Sequence, residues 1–238
     1  MPTTSPNVVD HDYIDPVTGH PKRWAILPVL CLSLFLVVVD NTIVNVALPT
    51  LSRELSATTS QLQWIVDAYS LVFASLLLAF GNLGDRFGRK GMLQSGLVLF
   101  AATSTIAAFC STAGQLITAR AAMGVGAAMV FPATLAILTN VFVDPTERAK
   151  AIGIWAAVSG LAVALGPVSG GWLLEHFWWG SIFLVNLPIV AASLVLGWRL
   201  IPRTRDPEAG RLDPLGLVLS IAAVVLLVFT VIEAPRHG

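Results

Sequence analysis

Seven apolar runs, at 24–46, 61–83, 91–110, 115–140, 150–173, 180–200 and 214–233, decide most of what this chain can fold into. A helix of roughly 20 residues, rising 1.5 Å per residue, crosses about 30 Å of hydrocarbon. In that medium every backbone N–H and C=O must find its partner inside the protein, which leaves helices as the form for runs of this length. The sequence therefore predicts an all-α membrane protein with seven spans. Composition agrees: 55% of residues are hydrophobic, 12% are charged, and the mean hydropathy is +0.78, far from the balance of a soluble domain. A net charge of zero gives no basis for a nucleic-acid partner.

The cations give the orientation. With the N-terminus in the cytoplasm, the inner segments hold Lys22, Arg23, Arg86, Arg89, Lys90, Arg148, Lys150, Arg199, Arg203, Arg205 and Arg211, the outer ones only Arg53 and Arg236. That is the positive-inside bias. Residues 1–23, with Pro2, Pro6, Asp10, Asp12, Asp15, Pro16 and Gly19, predict a disordered cytoplasmic tail. Residues 24–200 then form a six-helix bundle, the charged, proline-containing 201–213 a cytoplasmic linker, and 214–238 a seventh span with which the chain breaks off. The first run is too long for a cleavable signal peptide and is expected to stop at Leu48-Pro49. An odd helix count suggests the front half of a longer protein.

Several chemistries lack their residues. Cys31 and Cys110 sit in apolar stretches without metal-ligand spacing, and His11, His20, His176 and His237 lie outside the spans, so neither an intramembrane metal site nor a cofactor is expected. No Ser/His/Asp set converges in the membrane, which argues against an enzyme. A retinal protein would need a lysine within 214–233, and there is none.

Asp40, Asp67 and Arg120 are the ionisable residues within the spans. Each costs a few kcal/mol or more at membrane depth unless it is paired or hydrated, and each is a candidate for function. From the expected helix ends, all three lie on the order of 8–9 Å below the outer surface, where they could share one site. A carboxylate beside a guanidinium in a poorly hydrated cavity can take up or release a proton as the cavity opens and closes; a static ion pair is the alternative. Asn41 and Asn45, one helical turn apart near Asp40, could line the same polar pathway or bond between helices.

The stretch Gly81-Asn82-Leu83-Gly84-Asp85-Arg86-Phe87-Gly88-Arg89-Lys90 lies between the second and third spans and is expected to be a cytoplasmic loop. Gly88 would permit the reversal, Asp85 would face a helix N-terminus, and Arg86, Arg89 and Lys90 would hold the loop inside. The fifth run carries Gly160 and then Gly166-Pro167-Val168-Ser169-Gly170-Gly171: Pro167 removes a backbone hydrogen bond, and Gly166 with Gly170 forms a close-packing pair.

The loop resembles the signature cytoplasmic loop of the major facilitator superfamily. Asp40-Asn41-Thr42-Ile43-Val44-Asn45-Val46-Ala47-Leu48-Pro49 resembles the first-helix motif of its drug:proton antiporters. Arg120-Ala121-Ala122-Met123-Gly124-Val125-Gly126-Ala127-Ala128 is similar to the arginine motif of the fourth helix, and the glycines at 160–171 to the antiporter motif of the fifth. Gln63-Trp64-Ile65-Val66-Asp67-Ala68-Tyr69 and Asn186-Leu187-Pro188 match as well, whereas Trp178-Trp179-Gly180-Ser181 lacks an arginine often found there. Together the motifs resemble the N-terminal half of the 14-helix drug:proton antiporter branch, the EmrB/QacA-like exporters.

That resemblance implies a multi-pass protein of the cell membrane that exchanges protons for hydrophobic, often cationic small molecules. Asp40, Arg120 and Asp67 would couple the proton. Gly81, Gly84, Asp85, Arg86, Gly88, Arg89 and Lys90 would act in switching, and Gly160, Gly166, Pro167, Gly170 and Gly171 would mark antiport. Partners would be the bilayer, protons, a drug-like substrate, and a missing C-terminal half or a second copy. A carrier for a non-drug metabolite, and an inactive or partner-dependent half-transporter, are the alternatives.

Overall fold

The computed structural model describes residues 12–204 and, beyond them, the helical positions 219, 222, 223, 226 and 230. Its helices are α1 (Arg23–Glu54), α2 (Thr59–Phe87), α3 (Arg89–Ala108), α4 (Ala113–Val141), α5 (Pro145–His176), α6 (Ser181–Leu184) and α7 (Asn186–Leu200). The last two form one crossing, Ser181–Leu200, so the described residues supply six helices long and apolar enough to span a membrane. Apart from its five helical positions, the predicted seventh span lies outside the described residues, as does the linker beyond residue 204.

The stop expected at Leu48-Pro49 does not occur, and α1 continues to Glu54 with Pro28 and Pro49 inside it. Proline removes one N–H, a loss that packing can outweigh. Ala47 and Leu51, on either side of Pro49, are fully buried, and the Leu55 N–H closes on the Leu51 carbonyl.

α4 lies at the centre, packed between α2 and α3, while α1 packs chiefly on α5 and also on α4 and α7. Small residues let the backbones approach. A Cβ on Gly124 would come within 2.6 Å of the Tyr69 carbonyl on α2. Gly96 of α3 and Gly126 of α4 face each other so closely that a Cβ on either would meet the other's carbonyl at 3.0 Å. These contacts fix the distances of α2 and α3 from α4, and so place the side chains that α4 carries inward.

Three of the helices, α2, α4 and α5, start with side-chain caps. Thr58 and Gln61 form a reciprocal capping box on α2, Thr112 accepts from the Gln115 N–H on α4, and Asp144 accepts from the Glu147 N–H at 2.8 Å ahead of Pro145 on α5.

Residues 12–22 correct the expectation of disorder through residue 23. The Asp15 carboxylate accepts the Val17 and Thr18 N–H groups at 2.8 Å, Gly19 turns at φ 80°, and the His20 N–H reaches the Val141 carbonyl at 3.0 Å. His20 is buried, and Arg23 forks onto Glu147 with two bonds of 2.6 and 3.0 Å. A polar composition foretold solvation, but these polar groups are spent on turns and on the ends of α4 and α5.

Candidate functional site

Asp40 on α1 and Arg120 on α4 meet in the interior, Nη1 donating to Oδ2 at 2.5 Å, with both side chains fully buried. Four other helices complete the surroundings. From α2, the Ile65 carbonyl accepts from Arg120 Nε at 3.1 Å, and the Tyr69 ring lies 4.2 Å from the guanidinium carbon. A desolvated cation over an aromatic face contributes about 2 kcal/mol. Tyr69 is itself held by its hydroxyl, which donates to the Val37 carbonyl at 3.1 Å.

On the opposite side of Asp40, Asn186 at the start of α7 donates through Nδ2 to Oδ1 at 2.7 Å and to Ser104 Oγ of α3 at 3.0 Å. Ser104 in turn donates to the Phe183 carbonyl of α6 at 2.8 Å. An ionised carboxylate only accepts, so it orients both donors toward itself. The chain of donors thus converges on Asp40 from two sides. Among the described residues, buried Arg120 Nη2 and Asn186 Oδ1 have no partner, so the network retains unused donor and acceptor capacity.

Of the three charges expected to share a site, two do. Asp67, on α2, is half-buried and stands outside the Asp40–Arg120 network. Their distances from the helix ends differ, although the Asp40–Arg120 bond puts those two at one level and Ile65, two residues before Asp67, bonds the same guanidinium. With α1 ending at Glu54, Asp40 lies about 21 Å from its helix end, Arg120 about 10 Å from Ala113, and Asp67 about 12 Å from Thr59. The length of α1 beyond Asp40 accounts for the difference between the bonded pair.

Asn41 and Asn45 are only partly drawn in. Asn41 Oδ1 accepts from Ser70 of α2 at 3.4 Å, while Asn45 is exposed and turns its amide back onto the carbonyls of Asn41 and Thr42. The fifth-helix glycines divide by face. A Cβ on Gly166 would overlap Thr42 Oγ1, and one on Gly170 would come within 2.8 Å of the Ile43 side chain, both just beyond Asp40 on α1. Gly160 and Gly171 look onto open space, and Pro167 is exposed.

The stretch 81–90 is not a loop. Gly81, Gly84, Asp85 and Arg86 belong to α2, Arg89 and Lys90 to α3, and Gly88 alone joins them at φ 118°, a value that favours glycine. Continuous helix keeps the backbone bonded up to the boundary. Asp85 pairs with Arg89 across this joint at 2.7 Å instead of capping a helix N-terminus. Arg89 N–H donates to the Thr204 carbonyl, and Lys90 Nζ caps the end of α7 through the carbonyls of Trp198 and Ile201, at 2.9 and 2.6 Å.

Sequence reasoning missed Tyr69, Ser104 and Asn186 as members of the site. Asn186 carried a usable signal, a polar side chain in the middle of an apolar run.

A model described as the Major Facilitator Superfamily matches residues 30–232. The chain belongs to this superfamily. Among related superfamily proteins, the multidrug efflux pump LfrA of Mycolicibacterium smegmatis is 46% identical over 222 residues, covering 93% of this chain and 44% of LfrA. The methyl viologen resistance protein SmvA of Salmonella typhimurium is 46% identical over 213 residues, 88% of this chain and 42% of SmvA. The riboflavin transporter RibZ of Clostridioides difficile is 35% identical over 213 residues, 89% of this chain and 46% of RibZ. The chain thus spans less than half the length of these curated relatives. A crystal structure of a peptide transporter in complex with sulfate superposes with a TM-score of 0.69 at 19% identity, over 94% of this chain and 51% of that one, which supports the superfamily fold. With six apolar crossings among the described residues, this superfamily member is a multi-pass protein of the cell membrane.

Proposed function

We propose that the chain supplies the N-terminal, proton-carrying bundle of a drug:proton antiporter of the 14-helix branch, which exports hydrophobic, often cationic small molecules. The observation that carries this reading is the wholly buried Asp40–Arg120 pair, held by groups from α2, α3 and α7. Its relatives LfrA and SmvA, named for multidrug efflux and methyl viologen resistance, support the substrate class. The bundle is oriented with its N-terminal, cation-rich end toward the cytoplasm, as the distribution of lysine and arginine favours.

Coupling follows from the electrostatics of the pair. A proton taken by Asp40 removes the counter-charge bonded to the buried Arg120 guanidinium. Leaving one member of a buried pair uncompensated costs about 3–5 kcal/mol. Protonation therefore favours any arrangement in which α1 and α4 separate enough to hydrate Arg120. Gly166 and Gly170 offer α1 a surface without interlocking side chains beside the segment that must move.

Asn186 positions Asp40, and Asp67, outside the pair, is available to attract a cationic substrate by charge. Gly81, Gly84, Asp85, Arg86, Gly88, Arg89 and Lys90 act in switching, because Gly88 concentrates the backbone rotation between α2 and α3 in one residue. A second bundle, from a C-terminal half or another copy, would complete the substrate pathway between them, near the bilayer midplane.

The test is Asp40→Asn in the full-length transporter. The variant is expected to reach the membrane at normal levels and to lose pH-gradient-driven efflux of a lipophilic cationic dye; normal efflux would remove Asp40 from coupling. RibZ supports a second reading, a carrier for an uncharged or anionic metabolite. Competition of riboflavin with dye efflux distinguishes the two.

A further inference from the structure

Two adjoining cavities on the flank of α3 and α7 share the side chains of Gln94 and Trp198. The first, of about 410 Å³, opens where α2, α3 and α7 reach the basic end of the bundle, and its walls include Phe87, Lys90 and Arg203. The second, of about 700 Å³, continues along Ser95, Val98, Ala102 and Leu194. Gln94 to Ala102 is two turns of α3, so the groove descends about 12 Å toward the middle of the bilayer. Among the described residues, no charged side chain lines it.

The chemistry of the two compartments differs in a definite way. Lys90 spends two of its three N–H groups on the carbonyls of Trp198 and Ile201, which leaves one directed elsewhere. Arg203 is exposed, and the acid beside it, Asp12, accepts its backbone N–H at 2.7 Å. Phe87 and Trp198 are 70% and 68% exposed, as expected of aromatic side chains at a membrane–water boundary. A cationic chamber thus opens directly into an apolar groove. Basic pockets between membrane helices on the cytoplasmic side bind anionic headgroups.

We propose that this flank is a site for a phospholipid with an anionic headgroup, its phosphate against Lys90 and Arg203 and one acyl chain in the groove between α3 and α7. The site rests on the orientation proposed above, which puts the chamber in the inner leaflet. Lys90 follows the Gly88 joint and Arg203 follows α7, so a bound headgroup ties the α2–α3 joint to the end of the sixth crossing. The lipid favours the arrangement in which those two ends meet.

The experiment is thermal unfolding of the full-length protein in an uncharged detergent, with phosphatidylglycerol, phosphatidylcholine or inorganic phosphate added. Phosphatidylglycerol at ten times its Kd is expected to raise the midpoint by about 3 °C, with no rise from the other two. Arg203→Gln should abolish the rise. Lys90→Gln also removes the cap on α7, so Ser95→Trp, which fills the lipid-facing groove, serves as the second variant and should lose the response with its lipid-free midpoint unchanged.

An equal rise with phosphatidylcholine, or the same rise with phosphate alone, overturns the proposal, the latter in favour of a free anion. A full response in both Arg203→Gln and Ser95→Trp overturns it too. Asp40→Asn should keep the lipid response, so failure of the coupling reading and failure of the lipid site are separable.

Discussion

Of the three acid–arginine pairs among the described residues, two of nearly equal length stand in opposite settings. Asp40–Arg120 is fully buried, whereas Asp85–Arg89, at the α2–α3 joint, leaves its side chains 36% and 13% exposed. Removing one member of the first strands a charge without water, about 3–5 kcal/mol by precedent; the second is worth about 1 kcal/mol at most. Distance alone therefore says little about what a pair does. In the mechanism proposed above the buried pair couples ionisation to packing, and the partly exposed pair can open and close at small cost.

The sharpest way to break this contrast is Arg120→Leu, which should lower stability by about 3–5 kcal/mol. Asp40→Leu/Arg120→Leu should regain most of that while remaining inactive in transport. Thermal unfolding of the two variants checks it, and equal stability of the single and the double would mean that the buried charge is compensated elsewhere.

Gly166→Ala comes next, because its new Cβ would overlap Thr42; a loss of about 1–3 kcal/mol is expected, against less than about 0.5 for Gly171→Ala, which meets nothing within 4 Å. Comparable losses would show that the face next to Asp40 is not specially close. Arg89→Gln should cost about 1 kcal/mol or less in stability and slow transport. An unchanged transport rate would reduce Asp85–Arg89 to a solvated pair.

The smallest effect concerns residues 12–22. The backbone N–H groups of Thr18 and then Val17 hold the Asp15 carboxyl below the usual carboxylate range. Its folded-state pKa is depressed, so its contribution is present above the unfolded value and is lost as pH falls through the folded one. Asp15→Ala should speed amide exchange at Gly19 and His20 at neutral pH, and acid should do the same in the parent below the usual carboxylate range; identical protection in the variant would show that Asp15 is incidental to the turn.

The spans were legible because nothing else accommodates runs of 20 apolar residues. Asp40 and Arg120 were legible for a related reason: a charge in hydrocarbon is so costly that its presence signals use. Tyr69 and Ser104 carry no such penalty, and a serine in a helix can satisfy itself on its own backbone, so sequence alone does not separate these site members from bystanders. The stretch at 81–90 was misjudged in form because three glycines suggest a turn, while only Gly88 adopts a conformation that needs one. Helix α5 shows the same limit in another way. Its apolar stretch is 17% buried against 67% for α1, a difference invisible in two runs of similar hydropathy.

A joint of one residue has no slack. Where a loop would absorb a tilt of α2 by bending, Gly88 can only rotate, so the angle of α2 is handed to the first turn of α3 almost undiminished. Two crossings of the membrane behave as one jointed rod, and a torque applied at either far end is felt at the other.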